Sequence, residues 1–199
     1  MSPFGQVIPV TGLNYGFPGT VSELGDPLVV SKPVLGVTPD NIQFGQGVVV
    51  IPNASGGGDT VVSIFDYILA TAQGGQGGTF TAAKFGGVAR REVKTNLVFP
   101  QNPDVSVGGG YAPNSQCDFA VRGTVSVYIQ NGTPASQGVV YIRKTYNPAF
   151  PNGVVGGFEA GGLSDTSTNC VALVNVVFKN GNMDANNVTE ITMLERQAA

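Results

Sequence analysis

"CDFAVRGTVSVYIQNGTPASQGVVYIRKT", residues 117–145, carries the pattern that decides the fold class. Val125, Val127 and Ile129 alternate with Ser126, Tyr128 and Gln130, the period of two that marks a strand with one buried face. Asn131-Gly132 is turn chemistry, and Val139 to Ile142 forms a second apolar, β-branched run, so the stretch predicts an antiparallel pair in the core.

Downstream, "NPAFPNGVVGGFEAGG" reads as loop and short strand, "NCVALVNVVFKNG" as a further strand or pair, and "NNVTEITMLE" as a last strand running from Val188 to Met193. Upstream, "IQFGQGVVVIP" (42–52) gives a turn followed by a buried strand over Val48 to Ile51. In "TVVSIFDYILATA" (60–72), Val61, Ile64, Phe65, Ile68 and Leu69 recur at helical spacing, while the β-branched start also fits a strand pair. "TFTAAKFGGVARREVKTN" (79–96) reads as two strands broken at Gly86-Gly87, and "LVFPQNPDVSVGGGYAPNSQ" (97–116) as a long loop suited to contact. About eight short strands at this turn spacing predict an all-β chain, an antiparallel sandwich or jelly-roll-like domain.

Composition agrees. The chain has 199 residues, 29 glycines and 13 prolines with only 12% charged residues, which is the usage of short strands joined by many turns in a single domain. A net charge of −3 with ten scattered basic residues gives no footprint for nucleic acid. "MSPFGQVIPV" lacks the form of a secretion signal and no apolar run is long enough to span a membrane, so a protein made in the cytoplasm without membrane association is expected. Cys117 and Cys170 are then reduced, buried, small hydrophobes.

No histidine is present, which removes the commonest general base and zinc ligand and excludes a His-assisted triad. "AQGGQGGTF" lacks the lysine and hydroxyl pair of a phosphate loop. Asp118 with Glu159 is a conceivable glycosidase pair, and Asp104, Asp165 and Asp184 sit in loops that could attract calcium, but turn formation is the simpler role for such residues. Neither an enzyme activity, a cofactor nor a metal is expected. Tyr111 with Asn114, or Tyr146 with Asn147, would be the elements of an alternative carbohydrate-binding or adhesin-like surface.

The first 35 residues differ from the rest. "GLNYGFPGTVSELGDPLVVSKP" (12–33) is rich in apolar residues yet broken by Pro18, Pro27 and Pro33. Residues 21–30 could pair with the chain's own sheet or with the edge of a partner's.

The order of "GFPGTVSELGDPLVVSKPV", "KFGGVARREVKTN", "RGTVSVYIQNGTPASQGVVYIR", "GGFEAGG", "CVALVNVVFKNG" and "VTEITML" resembles the structural cement, or head-decoration, proteins of tailed bacteriophages. The resemblance implies a non-enzymatic protein of the virion, bound to the capsid exterior, that staples neighbouring major capsid subunits. It implies residues 1–35 as an extended capsid-binding arm and first strand, and 36–199 as the β domain. The major capsid protein is the implied partner, and a homo-oligomer the implied form, a trimer favoured over a dimer. Leu13, Tyr15, Phe17, Pro18, Val21, Leu28, Val29 and Arg91 are the residues expected to bind the capsid, with prolines lowering the entropy lost on docking and several arms acting by avidity.

Overall fold

The computed structural model describes residues 15–22, 27–35, 42–52, 58–69, 77–91, 109–162 and 165–194. It is nearly all β, with strands β1 Leu28–Pro33, β2 Ile42–Gln43, β3 Gly47–Ile51, β4 Thr60–Ser63, β5 Gly87–Ala89, β6 Gly110–Tyr111, β7 Gln116–Asn131, β8 Val139–Arg143, β9 Phe158–Ala160, β10 Cys170–Phe178 and β11 Val188–Met193. Helical structure is confined to α1 Ile64–Leu69, α2 Thr166–Asn169 and a 3-10 turn over Ala82–Lys84. No helix among the described residues is long and apolar enough to cross a membrane.

β7 organises everything else. Its first half pairs with β1 and β5, and its second half with β11 and β9. The register with β1 slips between Leu28 and Val29, which face Arg122 and Ala120, so Val121 is an extra residue on β7. Gly123 follows at φ +110, a conformation that L side chains rarely adopt, and a Cβ there would stand 3.1 Å from Pro27 Cα. The bulge shifts the phase of burial: Ala120 lies in the main core before it, and Val125, Val127 and Ile129 after it. One strand thus turns the corner between two sheets.

Beyond the corner the pairings run β7–β11–β10–β8–β9 and return to β7, so this half closes on itself like a small barrel. Closure leaves these five strands without a free sheet edge at their paired segments. Inside are Val125, Val127, Ile129, Ile142, Phe178 and Ile191, each 1% exposed or less. Burial of such side chains stabilises by about 1.5–3 kcal/mol apiece. In the other half β5, β3 and β4 extend the sheet from β7, with Val49, Val62 and Val88 turned to the main core. Their opposite face packs Val48, Val61, Ala89, Cys117 and Phe119 into a second cluster with Val34, Ile42 and Tyr111.

The antiparallel pair expected over 117–145 forms as two strands that do not touch through their ladders. β9 lies between them, parallel to β7 and antiparallel to β8. A two-residue hairpin would have forced adjacency, but residues 132–138 form a longer connection with Gly132 and Gln137 at positive φ, which leaves room for a strand to enter. The 60–72 stretch satisfies both of its readings, as β4 and then α1. Only one of the two strands expected over 79–96 is found among the described residues: Ala82–Lys84 is a 3-10 turn and Gly87–Ala89 is the strand. Most of the expected loop 97–116 lies outside the described residues, but its end supplies β6, which pairs with β2.

Candidate functional site

The site begins at Tyr15. Phe17-Pro18-Gly19-Thr20 forms a type II turn: Pro18 occupies the position its fixed φ suits, Gly19 takes φ +83, and Thr20 N donates to Phe17 O at 3.1 Å. From there the chain runs against the second half of β7. Gly19 N donates to Ser126 O, Ser126 N donates to Thr20 O, Ser22 N donates to Thr124 O, and Val21 bridges Val125. Ser126 Oγ donates to Tyr15 O at 2.6 Å, and Tyr15 N donates to Asp184 Oδ2 at 3.4 Å. The turn is therefore clamped at its base while Phe17, at its tip, is 64% exposed.

A second segment meets it there. Arg91 N donates to Gly19 O at 2.8 Å, and the Arg91 guanidinium lies 4.4 Å from the Phe17 ring centroid and 5.8 Å from that of Phe44. Phe44 packs edge-on against Tyr111, whose hydroxyl donates to Arg90 O. Pro18 rests on Gly45, where a Cβ would come within 2.5 Å of Pro18 Cβ, so no larger residue fits without moving the turn. Beside the turn is a cleft of about 300 Å³ whose lining includes Pro18, Phe44, Tyr128, Gln130 and Val154. Tyr128 and Val154 are 46% and 51% exposed, so with Phe17 they make an open apolar surface.

Of the residues singled out from sequence, Tyr15, Phe17, Pro18, Val21 and Arg91 come together around Gly19. Val29 is half-buried further along β7, and Leu28, which core packing would have buried, is 49% exposed. Leu13 lies outside the described residues. Of the two destinations open to residues 21–30, the described part takes the chain's own sheet: Val21 and β1 both pair with β7. Sequence reasoning missed Phe44, Tyr128 and Val154. Tyr128 was legible as the exposed member of an alternating strand; the other two join the cleft only through tertiary packing.

The carboxylates tell a different story. Asp118 and Glu159 do not form a pair: Asp118 Oδ1 accepts from Ser31 Oγ, while Glu159 lies at the far end of β7, opposite Asn131. Glu159 is fully buried and accepts from Arg143 Nε at 2.5 Å and Nη2 at 3.0 Å, from Asn131 Nδ2 at 3.1 Å and from Cys170 Sγ at 3.4 Å. Arg143 Nη1 lies 2.6 Å from Asp165 Oδ2, and Asn147 and Asn169 donate to Asp165 Oδ1. Burial alone would favour loss of the Arg143 charge, but hydrogen bonding to Glu159 and Asp165 outweighs it and raises the guanidinium pKa. Hydrogen bonding, Asn147's first, holds the Asp165 carboxyl below its ordinary value against the opposing effect of burial. This is a structural ion cluster closed to solvent, in which Asp165 Oδ2 meets Arg143 as an ion pair rather than through a hydrogen bond.

Cys170 belongs to that cluster rather than to apolar packing, and burial together with the Glu159 charge pushes its thiol up to about 12. Cys117 is the plain core residue expected, its thiol also pushed up to about 12 by burial and by Asp118. Both are free. Asp184 Oδ1 accepts from Asn186 N and Val188 N, an Asx turn, and Asp104 lies outside the described residues. No cluster of three or more His, Cys, Asp or Glu able to hold a metal occurs among the described residues. Tyr111 is buried, and Asn147 spends its amide on Asp165 and accepts from Ala149 N, so neither aromatic–asparagine pair is a free sugar platform.

The described residues thus form an all-β body with a buried ion cluster and an aromatic turn open to solvent. Residues 8–194 match the family model of structural cement proteins, described as structural cement protein (E217 gp24/Pam3 gp6), and the chain belongs to that family. It is thus a phage capsid-associated structural protein, and the family is not a class of enzymes. Among solved structures, a chain of "The capsid of Myoviridae Phage XM1" is similar, with 17% identity, 98% of each chain covered and a TM-score of 0.53, a likeness of fold. No curated protein matches the sequence.

Proposed function

We propose that the protein binds the outside of an assembled phage head and staples neighbouring copies of the major capsid protein. Residues 1–35 make the shell contact and the β domain carries them; the protein is made in the host cytoplasm and joins the virion there. The observation that carries this reading is Phe17, which is 64% exposed although its turn is clamped by hydrogen bonds on both sides. An aromatic ring held rigid in solvent is suited to a partner, because little conformational entropy remains to be lost when it docks.

Phe17, Pro18 and Arg91 form the rigid part of the contact, with Tyr15 and Val21 fixing its root and Leu13 preceding it. Leu28 and Val29 form a second patch on β1. Each contact is modest alone. A homo-oligomer, with a trimer fitting local threefold positions and a dimer twofold ones, raises the effective concentration of each contact beside its site, and avidity can exceed a single affinity by about 10²–10⁴. Selective binding to the assembled shell then stabilises it by mass action.

The test is co-sedimentation of the purified chain with heads of the encoding phage assembled without it, together with the thermal stability of those heads. Binding and a higher disruption temperature are expected; absence of both refutes the proposal. Phe17→Ala should weaken binding at least tenfold with the melting temperature of the free protein unchanged within a few degrees.

A further inference from the structure

The cleft beside Phe17 has a chemical bias that the stapling reading does not use. Its lining residues include no acid and no base; the Asp66 carboxylate behind it accepts from Ser63 Oγ, and the Arg91 guanidinium stands over Phe44 and Phe17 beside it. Arg91 is held by its backbone N–H on Gly19 O and by the faces of Phe17 and Phe44, and its guanidinium pairs with no carboxylate among the described residues. A guanidinium lying over a ring still has N–H donors to give, in the fork geometry that a carboxylate matches in two parallel hydrogen bonds.

The cleft itself cannot recruit a strand. Phe44 N donates to Gly109 O, Gly45 N to Ala89 O, Gln46 N to Gln43 O, Gly156 N to Arg143 O and Gly157 N to Val154 O, so the backbone donors of its floor are already spent. Gln130 is committed as well, its Oε1 accepting from Val154 N at 2.6 Å. Besides side-chain amides such as that of exposed Gln43, the cleft offers apolar side-chain surface from Phe44, Tyr128 and Val154. A volume of about 300 Å³ is at the small end of ligand pockets, suited to side chains rather than to a folded element.

We propose that this cleft takes an acidic segment of the shell protein, one apolar side chain entering between Phe44, Tyr128 and Val154 while a neighbouring Asp or Glu pairs with Arg91. Charge complementarity selects the occupant: a basic segment meets Arg91 as a like charge, and a purely apolar one leaves the guanidinium buried without a partner. The inference rests on the shell-binding reading and names the chemistry of its partner.

Undecorated heads of the encoding phage are the probe, titrated with wild type, Arg91→Glu, Arg91→Gln and Val154→Glu, and with Val174→Ser, an exposed position outside the cleft, as control. Wild-type affinity should fall as salt rises from 50 to about 300 mM. Both Arg91→Glu and Val154→Glu should lose at least tenfold, Arg91→Gln should lose less and show a flatter salt dependence, and the control should bind as wild type. A photo-crosslinking residue at Val154 in the otherwise unaltered chain should capture a shell peptide that contains Asp or Glu, which keeps the proposal testable if an Arg91 variant folds poorly. Wild-type binding with unaffected cleft variants, or crosslinks confined to peptides without an acid, overturns this inference and leaves stapling intact. Failure of the wild type to bind at all refutes the stapling reading instead.

Discussion

Truncating Glu159 should damage the fold more than its position on a three-residue strand suggests. The side chain is fully buried and accepts from Arg143, Asn131 and Cys170. Glu159→Ala would strand the Arg143 guanidinium with Asp165 as its remaining carboxylate and leave Asn131 and Cys170 facing a void. Breaking a buried pair by removing one partner costs about 3–5 kcal/mol. Against a typical total of about 5–15 kcal/mol that is about a fifth of the stability or more. For a chain of this size each kcal/mol shifts the melting temperature by about 2–4 °C, so a fall of about 6–20 °C is expected by calorimetry, with a matching drop in urea midpoint at unchanged slope. Replacing the whole cluster, Arg143→Met with Glu159→Leu and Asp165→Asn, should recover most of the loss, because no buried charge then lacks a partner. The pH dependence has a definite sign. Asp165 ionises below its ordinary value in the folded state, so on acidification the unfolded chain takes up the proton first. The stability it supplies is intact well above the unfolded carboxyl pKa of about 3.9 and drains away as pH falls through and below it. A loss under 1 kcal/mol for Glu159→Ala, or a triple variant no better than the single one, would refute this account of the cluster.

Two further expectations concern the cores and the turn. Neither Cys117 nor Cys170 should react with a thiol reagent at pH 8 until urea unfolds the chain; and because both thiols are pushed up to about 12, stability should decline as pH rises above about 8.5, less steeply in Cys117→Ala. Gly45→Ala places a Cβ 2.5 Å from that of Pro18 at φ +80, and should speed hydrogen exchange at the Gly19 amide while leaving amides within β8 and β10 protected; equal exchange in both proteins would show that the turn is not seated on Gly45.

The fold class was legible because apolar and polar residues alternate along Val125–Gln130 and the β-branched runs at 48–51, 139–142 and 188–193 are short and turn-bounded, although Ser126 on the polar phase is buried as well, under the 15–22 segment. The pairing of those runs was not. Strand order depends on which segment fills the space beside β7, and "FEA" at 158–160 carries too few residues for any pattern, although the Glu159–Arg143 ion pair fixes where it goes. The bulge at Val121 was hidden for a related reason: in "AVRGTV" Val121 and Val125 share one phase of alternation, so the stretch reads as one continuous strand, and only Gly123 hints that the strand turns. For the site, "GFPGT" states its own type II turn through Pro18 and Gly19. Arg91 is separated from that turn by some seventy residues, and no local rule predicts that its backbone would bond Gly19.

The closed half of the sheet bears directly on how the exposed turn is held. The half that closes from β7 through β11, β10, β8 and β9 back to β7 has no free edge at its paired segments, so backbone-mediated self-association is suppressed there. The exposed turn is fixed by the same strand that closes the barrel, since Ser126 on β7 holds both Tyr15 O and the Gly19–Thr20 backbone. Phe17 and Tyr128 move together, because the turn is bonded to Ser126, two residues before Tyr128 and on the same side of the bend. The rigidity of the core is therefore transmitted to the Phe17 turn through a single strand, and under the proposed capsid contact little entropy would be lost in ordering that turn.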